Sequence, residues 1–382
     1  MLKLKKFICG LLIGSTTLTF NLLGSSSIAS AVQTNNLSKN PYVQAYLNEK
    51  ISKLESTDSL DKSKEYLVDP EVEEKIIIAG LEEYYNEDMK VAKILKNYIK
   101  NDELDKNTLA TEADGKIATM KNIIEIYSNV KDKEDQETLK GYLKRYARNS
   151  KDPASISFLN SITPQVKVNI NDKEEKEKKG IVSEDSINTS TLNAASYTGT
   201  YNRSGAANWA YNNYNLYNSG FPAFDLWGSD CANFVSQAMY LGGGMPMQQN
   251  WYCYKKNSTY LHPLNATQLD YSWTLANPSP WTSAVQFTSF WDTRGSVLQY
   301  TTSDYAANHS AIYNKTIYIG DAVVFRKAVV GSIITMPTHI MIISQYDSVN
   351  KDFLLAGHSQ QRQKYPALSA ISGYVNIEFI SF

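Results

Sequence analysis

The sequence predicts an α+β fold, with helices in the first half of the chain and an antiparallel sheet near its end. Apolar residues recur at helical spacing through the first half, whereas short apolar runs bounded by turn residues follow later. Composition also changes near residue 195, because all six tryptophans and all four histidines come after it. We therefore predict an all-α helical domain over 32–170, a charged and polar linker over 171–197 and an α+β domain over 198–382.

The N-terminus has the pattern of an export signal. Three lysines within the first six residues precede an apolar stretch over 7–23, and Ala29-Ser30-Ala31 fits the small-x-small pattern of a cleavage site. A permanent membrane anchor is the alternative, but serines and threonines interrupt the apolar stretch. We expect a signal peptide over 1–31, a secreted or cell-surface bacterial protein, and no stable membrane insertion after the signal is removed.

Charge and motif content argue against several classes of protein. The formal net charge is -1, so no basic field favours a nucleic-acid partner. No Cys-x-x-Cys or His-x-x-x-His spacing indicates a zinc site, and no glycine-rich phosphate loop is present. We therefore expect no metal, no cofactor and no nucleic-acid partner.

The first half of the chain is predicted to form a small helical bundle. Asp69 is the predicted N-cap of its longest helix, with Pro70 in the first turn. Further periodic stretches near 42–54, 117–130 and 137–146 bring the bundle to about four helices. Its many Glu/Lys pairs are interpreted as solvated faces, with a partner-binding surface as the alternative. This half contains no histidine, so we predict no catalytic group in it.

The predicted linker is a candidate site of proteolysis. The run 171–179 mixes acidic and basic residues, and a stretch rich in Ser, Thr and Asn follows it. Exposed polar segments of this kind are preferred sites of nicking. We hypothesise that cleavage here frees the second domain from the first.

The segment Ser229–Gln237 is the strongest candidate for chemistry. Apolar residues have helical spacing from Cys231 onward, and Gly242-Gly243-Gly244 is predicted to end that helix. Cys231 would occupy the first turn, where unpaired N–H groups favour a thiolate and its own N–H could donate to an oxyanion. A buried, inert thiol is the alternative. Cys253 is interpreted as a structural thiol, although a disulfide between the two cysteines stays open and would abolish the chemistry.

Two of the four histidines are candidates for the base. His339 begins one apolar strand, His358 ends the next, and a hairpin through Gln345–Asp352 would bring the two strands together. One histidine could then accept the thiol proton while the other fixes its orientation. Either could instead be structural. His262 and His309 lie in loop-like sequence and are interpreted as surface residues.

Two other features have a structural interpretation. Asp321 follows a glycine just before a strand and is interpreted as a turn or cap residue. Aromatic residues could line a substrate cleft, but a place in the core is favoured for four tryptophans. These are Trp209, Trp273, Trp281 and Trp291.

A series of short motifs in the last domain resembles a known family. In chain order they are Tyr201-Asn202-Arg203, Ala206-Ala207, Asp230–Gln237, Gly242-Gly243, Pro280-Trp281-Thr282, Gly320–Val323, His339, and Gly357-His358-Ser359 with Arg362. Together they resemble the amidase domain that is common in secreted proteins of bacilli and clostridia. The resemblance covers nearly all of 198–382 and none of the first half.

That family looks like a branch of the papain-like superfamily of cysteine hydrolases, which includes CHAP-type amidases and cell-wall endopeptidases. The resemblance implies a papain-like catalytic domain with Cys231 as nucleophile, His339 as base and His358 as the residue that orients the base. Asp230 and Asn233 belong to the motif and are expected to support the start of the helix rather than to react.

These observations lead us to expect a secreted cysteine amidase or peptidase with a Cys-His-His thiolate mechanism. Its expected partner is a peptide or other amide substrate, with peptidoglycan peptides first because they are the abundant amides outside the membrane. Two alternatives stay open. The protein could be a non-catalytic cell-surface binding module on the same fold, or an acyltransferase that uses the same nucleophile.

Overall fold

The structure is a computed structural model that describes residues 40–56, 67–163, 178, 201–227, 229–331 and 333–382. The predicted signal peptide, and the predicted linker apart from Lys178, therefore lie outside the described residues. Within those ranges, no helix combines the length and the apolar character that a membrane span requires.

The described residues 40–56 and 67–163 are mainly helical, with more helices than the sequence predicts. The helices are α1 (Pro41–Ser56), α2 (Pro70–Lys96), α3 (Leu104–Thr108), α4 (Ala113–Ile126), α5 (Lys133–Ser150) and α6 (Pro153–Ile162). The predicted N-cap of α2 is confirmed, because the Asp69 carboxylate accepts hydrogen bonds from the backbone N–H groups of Glu71 and Val72. Asp152 and Pro153 start α6 in the same way, although the sequence analysis did not predict this helix.

The back half begins with two helices that carry the family-like motifs. The helices of this half are α7 (Arg203–Asn213), α8 (Cys231–Gln237), α9 (Ala266–Ser272), α10 (Ala284–Trp291), α11 (Thr302–Tyr313) and α12 (Ala367–Ala370). A π-helical turn, Ala238–Gly242, continues α8. There α7 crosses closely, since a Cβ atom on Gly242 would lie 2.5 Å from the carbonyl oxygen of Gly205. Glycine is needed at this crossing because any side chain would collide with backbone.

The strands form one small sheet and one large antiparallel sheet. They are β1 (Cys253–Lys255), β2 (Trp273–Leu275), β3 (Ser296–Thr301), β4 (Ala322–Val330), β5 (Ile334–Asp347), β6 (Asp352–Gly357), β7 (Arg362–Pro366) and β8 (Asn376–Ser381). The large sheet has the order β3-β8-β4-β5-β6-β7, and β1 pairs with β2 alone. Helices with antiparallel sheets agree with the predicted α+β class.

The long central strand β5 is the element that positions the site. Its residues from Ile334 to Ser344 are buried, as expected for a strand covered on both faces. The predicted hairpin after it is confirmed, because Asp347 pairs with Asp352 at the start of β6. Two predicted boundaries were wrong. Strand β5 begins at Ile334 rather than at His339, and β6 ends at Gly357, one residue before His358.

The two halves of the chain share an apolar core. One cluster of buried side chains joins helices α1–α6 to Val285, Met336 and other residues of α10, β4 and β5. The contact is close at Gly80 of α2, where an added Cβ atom would lie 2.3 Å from the Met336 sulfur. The core interpretation of Trp209, Trp273, Trp281 and Trp291 is confirmed, since all four are buried.

Candidate active site

Asp230 organises the loop that leads into α8. One carboxylate oxygen accepts hydrogen bonds from the Phe224 backbone N–H at 2.8 Å and from the Asn233 side chain at 2.8 Å. The same Asn233 amide also donates to the Pro222 carbonyl at 2.7 Å. Asp230 occupies the N-cap position but makes no side-chain cap, because these partners use its carboxylate. Asp230 and Asn233 therefore fold the preceding loop against the first turn of α8.

The sulfur of Cys231 lies at the N-terminus of α8 and touches strand β5. Its neighbours are the Ser229 hydroxyl, at 3.2 Å, and the backbone N–H groups of Ile340 and Ala232, which are hydrogen-bonded to it. Burial nevertheless raises the pKa of the Cys231 thiol, and these hydrogen bonds only partly oppose the effect. The expectation of a lowered Cys231 pKa is therefore wrong for this conformation. Only 1% of the residue is exposed.

His339 precedes the residue that contacts the Cys231 sulfur. Its side chain is buried and stacks near Phe325 on the neighbouring strand, with ring centroids 6.2 Å apart. The ring nitrogen Nδ1 is buried and has no hydrogen-bond partner. Burial lowers the pKa of His339 to about 3, so the imidazole is neutral at physiological pH. A neutral imidazole with an unpaired nitrogen has the protonation state of a base, but the same burial opposes its uptake of a proton.

The burial of His339 predicts a specific loss of stability in acid. The unfolded chain binds a proton at His339 near pH 6.5, but the folded chain binds it only near pH 3. Stability from this group is therefore complete above pH 6.5 and decreases as the pH falls toward 3. At about 1.4 kcal/mol per pH unit, His339 accounts for a loss of about 2 kcal/mol between pH 6.5 and 5. Urea unfolding of wild type and His339→Gln at both pH values measures this, and an equal loss in both chains would contradict it.

His358 takes part in a different set of contacts. Its Nδ1 lies 2.7 Å from the second carboxylate oxygen of Asp230, and its Nε2 lies 3.3 Å from the carbonyl oxygen of Asn213. Its ring stacks on Phe234 of α8, with centroids 4.2 Å apart. Among the described residues, no hydrogen bond joins His358 to His339. The structure thus brings His358 to Asp230 rather than to the histidine that it is predicted to orient.

The other candidate residues have structural surroundings. Cys231 and Cys253 are both free and buried, so the possible disulfide between them is not formed. His262 is on the surface as predicted and lies 2.9 Å from Asp225. His309 belongs to α11 rather than to a loop and is only partly buried. In the part of the chain that the structure describes, no cluster of His, Cys, Asp and Glu could hold a metal ion.

Sequence analysis missed a group of residues beside Cys231. Tyr374 follows α12, and burial and the charges of Glu73 and Cys231 raise its pKa well above the ordinary value. Its hydroxyl is hydrogen-bonded to Glu73 of helix α2 and to Thr338 of β5. No motif marks these positions. The only available signal for Thr338 was its place beside His339, and Glu73 resembles the many other acidic residues of the first half.

When the chain is compared with known protein families, the match lies in its back half. Residues 200–381, slightly less than half of the chain, match the family model described as "Putative amidase domain". The match includes Cys231, His339 and His358 and excludes helices α1–α6. No curated protein and no solved structure gives a significant match. The similarity therefore suggests hydrolysis of amides for the back half and is silent on the first half.

Proposed function

We propose that this protein is a secreted cysteine amidase or peptidase, in which Cys231 attacks an amide carbonyl and His339 transfers the proton. One observation carries the proposal. The Cys231 sulfur is hydrogen-bonded to the backbone N–H of Ile340, directly after a neutral histidine whose Nδ1 has no partner. The contact of this thiol with the strand that carries the unpaired imidazole, within a segment similar to an amidase domain, supports a nucleophile and its base.

In the proposed first step, the Cys231 thiol gives its proton to the His339 imidazole. The sulfur then forms a bond to the carbonyl carbon, and the carbonyl oxygen becomes an oxyanion. Backbone N–H groups at the start of α8 could stabilise this charge. The C–N bond breaks as the imidazolium passes its proton to the departing amine, which leaves a thioester on Cys231.

In the second step, His339 takes a proton from water, and the resulting hydroxide attacks the thioester carbon. The C–S bond breaks, the carboxylic acid leaves, and the thiol is restored by the proton held on His339. We assign His358, Asp230 and Asn233 to support. Their hydrogen bonds fix the loop and the first turn of α8 that carry Cys231.

Peptidoglycan peptides are the substrate that we propose first. The export signal predicted at the N-terminus would deliver the protein outside the membrane, where stem peptides and cross-bridges are the abundant amides. Other peptides and acyl amides are chemically equivalent at the carbonyl. The substrate proposal therefore depends on location as well as on the similarity to an amidase domain.

A second candidate function has an observation in its favour. The Cys231 thiol is buried, and its pKa is raised rather than lowered. A thiol in this state is unreactive, as expected for a cysteine that serves only as packing in a non-catalytic surface module. The amidase requires that Cys231 can become accessible to substrate, whereas the non-catalytic module does not.

Release of new amino groups from peptidoglycan fragments tests the proposed hydrolysis. Soluble fragments are incubated with the chain that begins at residue 32, and new amines are quantified with an amine-reactive dye. We expect amines to appear together with equal amounts of new carboxyl groups. New amides formed with an added amine would instead favour the acyltransferase, and no product from any fragment, also with the Glu73→Lys chain described below, would favour the binding module.

A further inference from the structure

The segment 67–77, which includes the first two turns of α2, covers the site from outside the amidase-like half. We call it the latch segment. It lies more than 120 residues before the matched region begins at residue 200. Leu67, Val68 and Ile76 are buried in the same cluster as Phe325 and other side chains of the large sheet. The latch segment is therefore packed into the back half rather than resting on its surface.

Glu73 is the polar centre of the latch segment. One of its carboxylate oxygens accepts a hydrogen bond from the Thr338 hydroxyl at 2.9 Å, and the other lies 3.0 Å from the Lys327 ammonium group. Tyr374 is also hydrogen-bonded to Glu73, and the Lys327 ammonium group lies 4.7 Å from the centre of its ring. Buried charge-assisted contacts of this kind are stronger than contacts on the surface.

These contacts lie next to the proposed nucleophile and base. Glu73 binds Thr338, the sulfur of Cys231 binds the backbone of Ile340, and His339 lies between them in β5. Two residues of a strand span roughly 7 Å, so the carboxylate and the sulfur contact the same short stretch of backbone. A substrate carbonyl must reach the Cys231 sulfur, and both Cys231 and His339 are closed off by protein.

The apolar part of the latch segment closes the face of the sheet to which His339 belongs. Phe325, the residue paired with His339, is in the same buried cluster as Leu67, Val68 and Ile76. His339 is 1% exposed on this face, and Cys231 is also 1% exposed, within a separate cluster formed by side chains of the back half. Packing against neighbouring side chains accounts for the burial of both side chains.

We propose that the latch segment is an autoinhibitory element, held by Glu73, that must move before substrate can reach Cys231 and His339. The inference depends on the proposed function, since it assigns the observed burial to a closed state of an amidase. It also explains how one site can combine a buried thiol with an amidase-like sequence. Displacement of the latch segment by a bound cell-wall fragment would open the site.

Reversing the charge of Glu73 tests the latch without requiring turnover. Glu73→Lys places a second ammonium group beside Lys327 and removes the acceptor for Thr338 and Tyr374. Glu71→Lys is the matched control, because Glu71 is exposed in the same turn of α2. Each full-length chain is treated with iodoacetamide at pH 8, and the alkylation rates of Cys231 and Cys253 are read by peptide mass mapping.

We expect Cys231 to be alkylated at least about tenfold faster in Glu73→Lys than in wild type, because loss of a buried charged contact favours local opening. Glu71→Lys should leave the rate unchanged. Cys253 should stay slow in all chains, since it begins β1, which pairs with β2 in the small sheet and not with β5. Equal Cys231 rates in wild type and Glu73→Lys would overturn the latch.

The Cys253 rate also reports whether a variant is folded. If Cys253 becomes reactive in Glu73→Lys, that chain has unfolded, and Glu73→Gln, which keeps the shape of the side chain, takes its place with the same two decisive outcomes. The alkylation rates test the movement of the latch segment whether or not the protein hydrolyses amides. Faster Cys231 alkylation without any amide hydrolysis would support the latch and count against the amidase, whereas hydrolysis with unchanged alkylation would do the opposite.

Discussion

Replacing Arg203 by methionine should lower the free energy of unfolding by about 3–5 kcal/mol, because it leaves a buried carboxylate without its cation. Arg203 is 1% exposed, and its guanidinium group is paired with Asp321, which is fully buried. The guanidinium group also donates to the carbonyl oxygen of Phe382. Asp321 in turn accepts hydrogen bonds from the Tyr318 backbone N–H and the Ser381 hydroxyl. The pair thus joins α7, the start of β4 and the end of β8.

Chemical denaturation of Arg203→Met and wild type measures this effect. Arg294→Met is the control, because Arg294 is exposed and changes at such positions usually cost less than about 1 kcal/mol. A destabilisation of Arg203→Met no larger than that of the control would show that water or another group compensates Asp321. The Arg203–Asp321 ion pair would then not be the contact that holds α7, β4 and β8 together.

Replacing Cys231 by alanine should reduce amide hydrolysis by at least about a thousandfold, since the proposed mechanism then has no nucleophile. The side chain is small and buried, so the fold should persist. The comparison is made in the wild-type chain and in Glu73→Lys, where the latch is expected to be open. Cys253→Ala is the control, because it removes the other free thiol of the described residues and should keep activity within about threefold.

The sequence was sufficient to predict the segments of the site but not its connections. Cys231 at a helix start and His339 in a strand could be predicted because local spacing and turn residues determine them. The partner of His358 could not. Asp230 is 128 residues away in sequence, and only the packing of α8 against the end of β6 brings the two together. Asp321 had the ordinary pattern of a turn residue, and its ion pair with Arg203 depends on a contact across 118 residues.

The first half of the chain illustrates the same limit for charged residues. The Glu/Lys pair Lys90–Glu87 lies on the surface, as predicted for such pairs, but Lys116 and Asp88 are fully buried and form an ion pair of 2.8 Å. Arg145 and Tyr146 complete the hydrogen bonds of the same carboxylate. Helical periodicity shows which positions are apolar, but it does not show that a lysine on an apolar face has a buried acidic partner. The buried contacts of Glu73 could not be predicted for the same reason.

The burial of Cys231 is the finding that most changes the functional picture. A helix N-terminus favours a thiolate, but desolvation has the larger effect when the thiol is sealed from water. In the closed state that we propose, both the Cys231 thiol and the neutral His339 imidazole are shielded from substrate. With the latch open, water and substrate would reach both groups, and the N-terminus of α8 could then lower the Cys231 pKa.

Capture of the acyl-enzyme tests the central claim most directly. Glu73→Lys is mixed with peptidoglycan fragments, quenched in acid after short times and digested, and the peptides are mapped by mass. The account predicts a transient thioester on the peptide that contains Cys231, which disappears in the Cys231→Ala chain together with hydrolysis. Undiminished hydrolysis in Cys231→Ala, or an acyl adduct on another residue, would contradict the claim that Cys231 is the nucleophile.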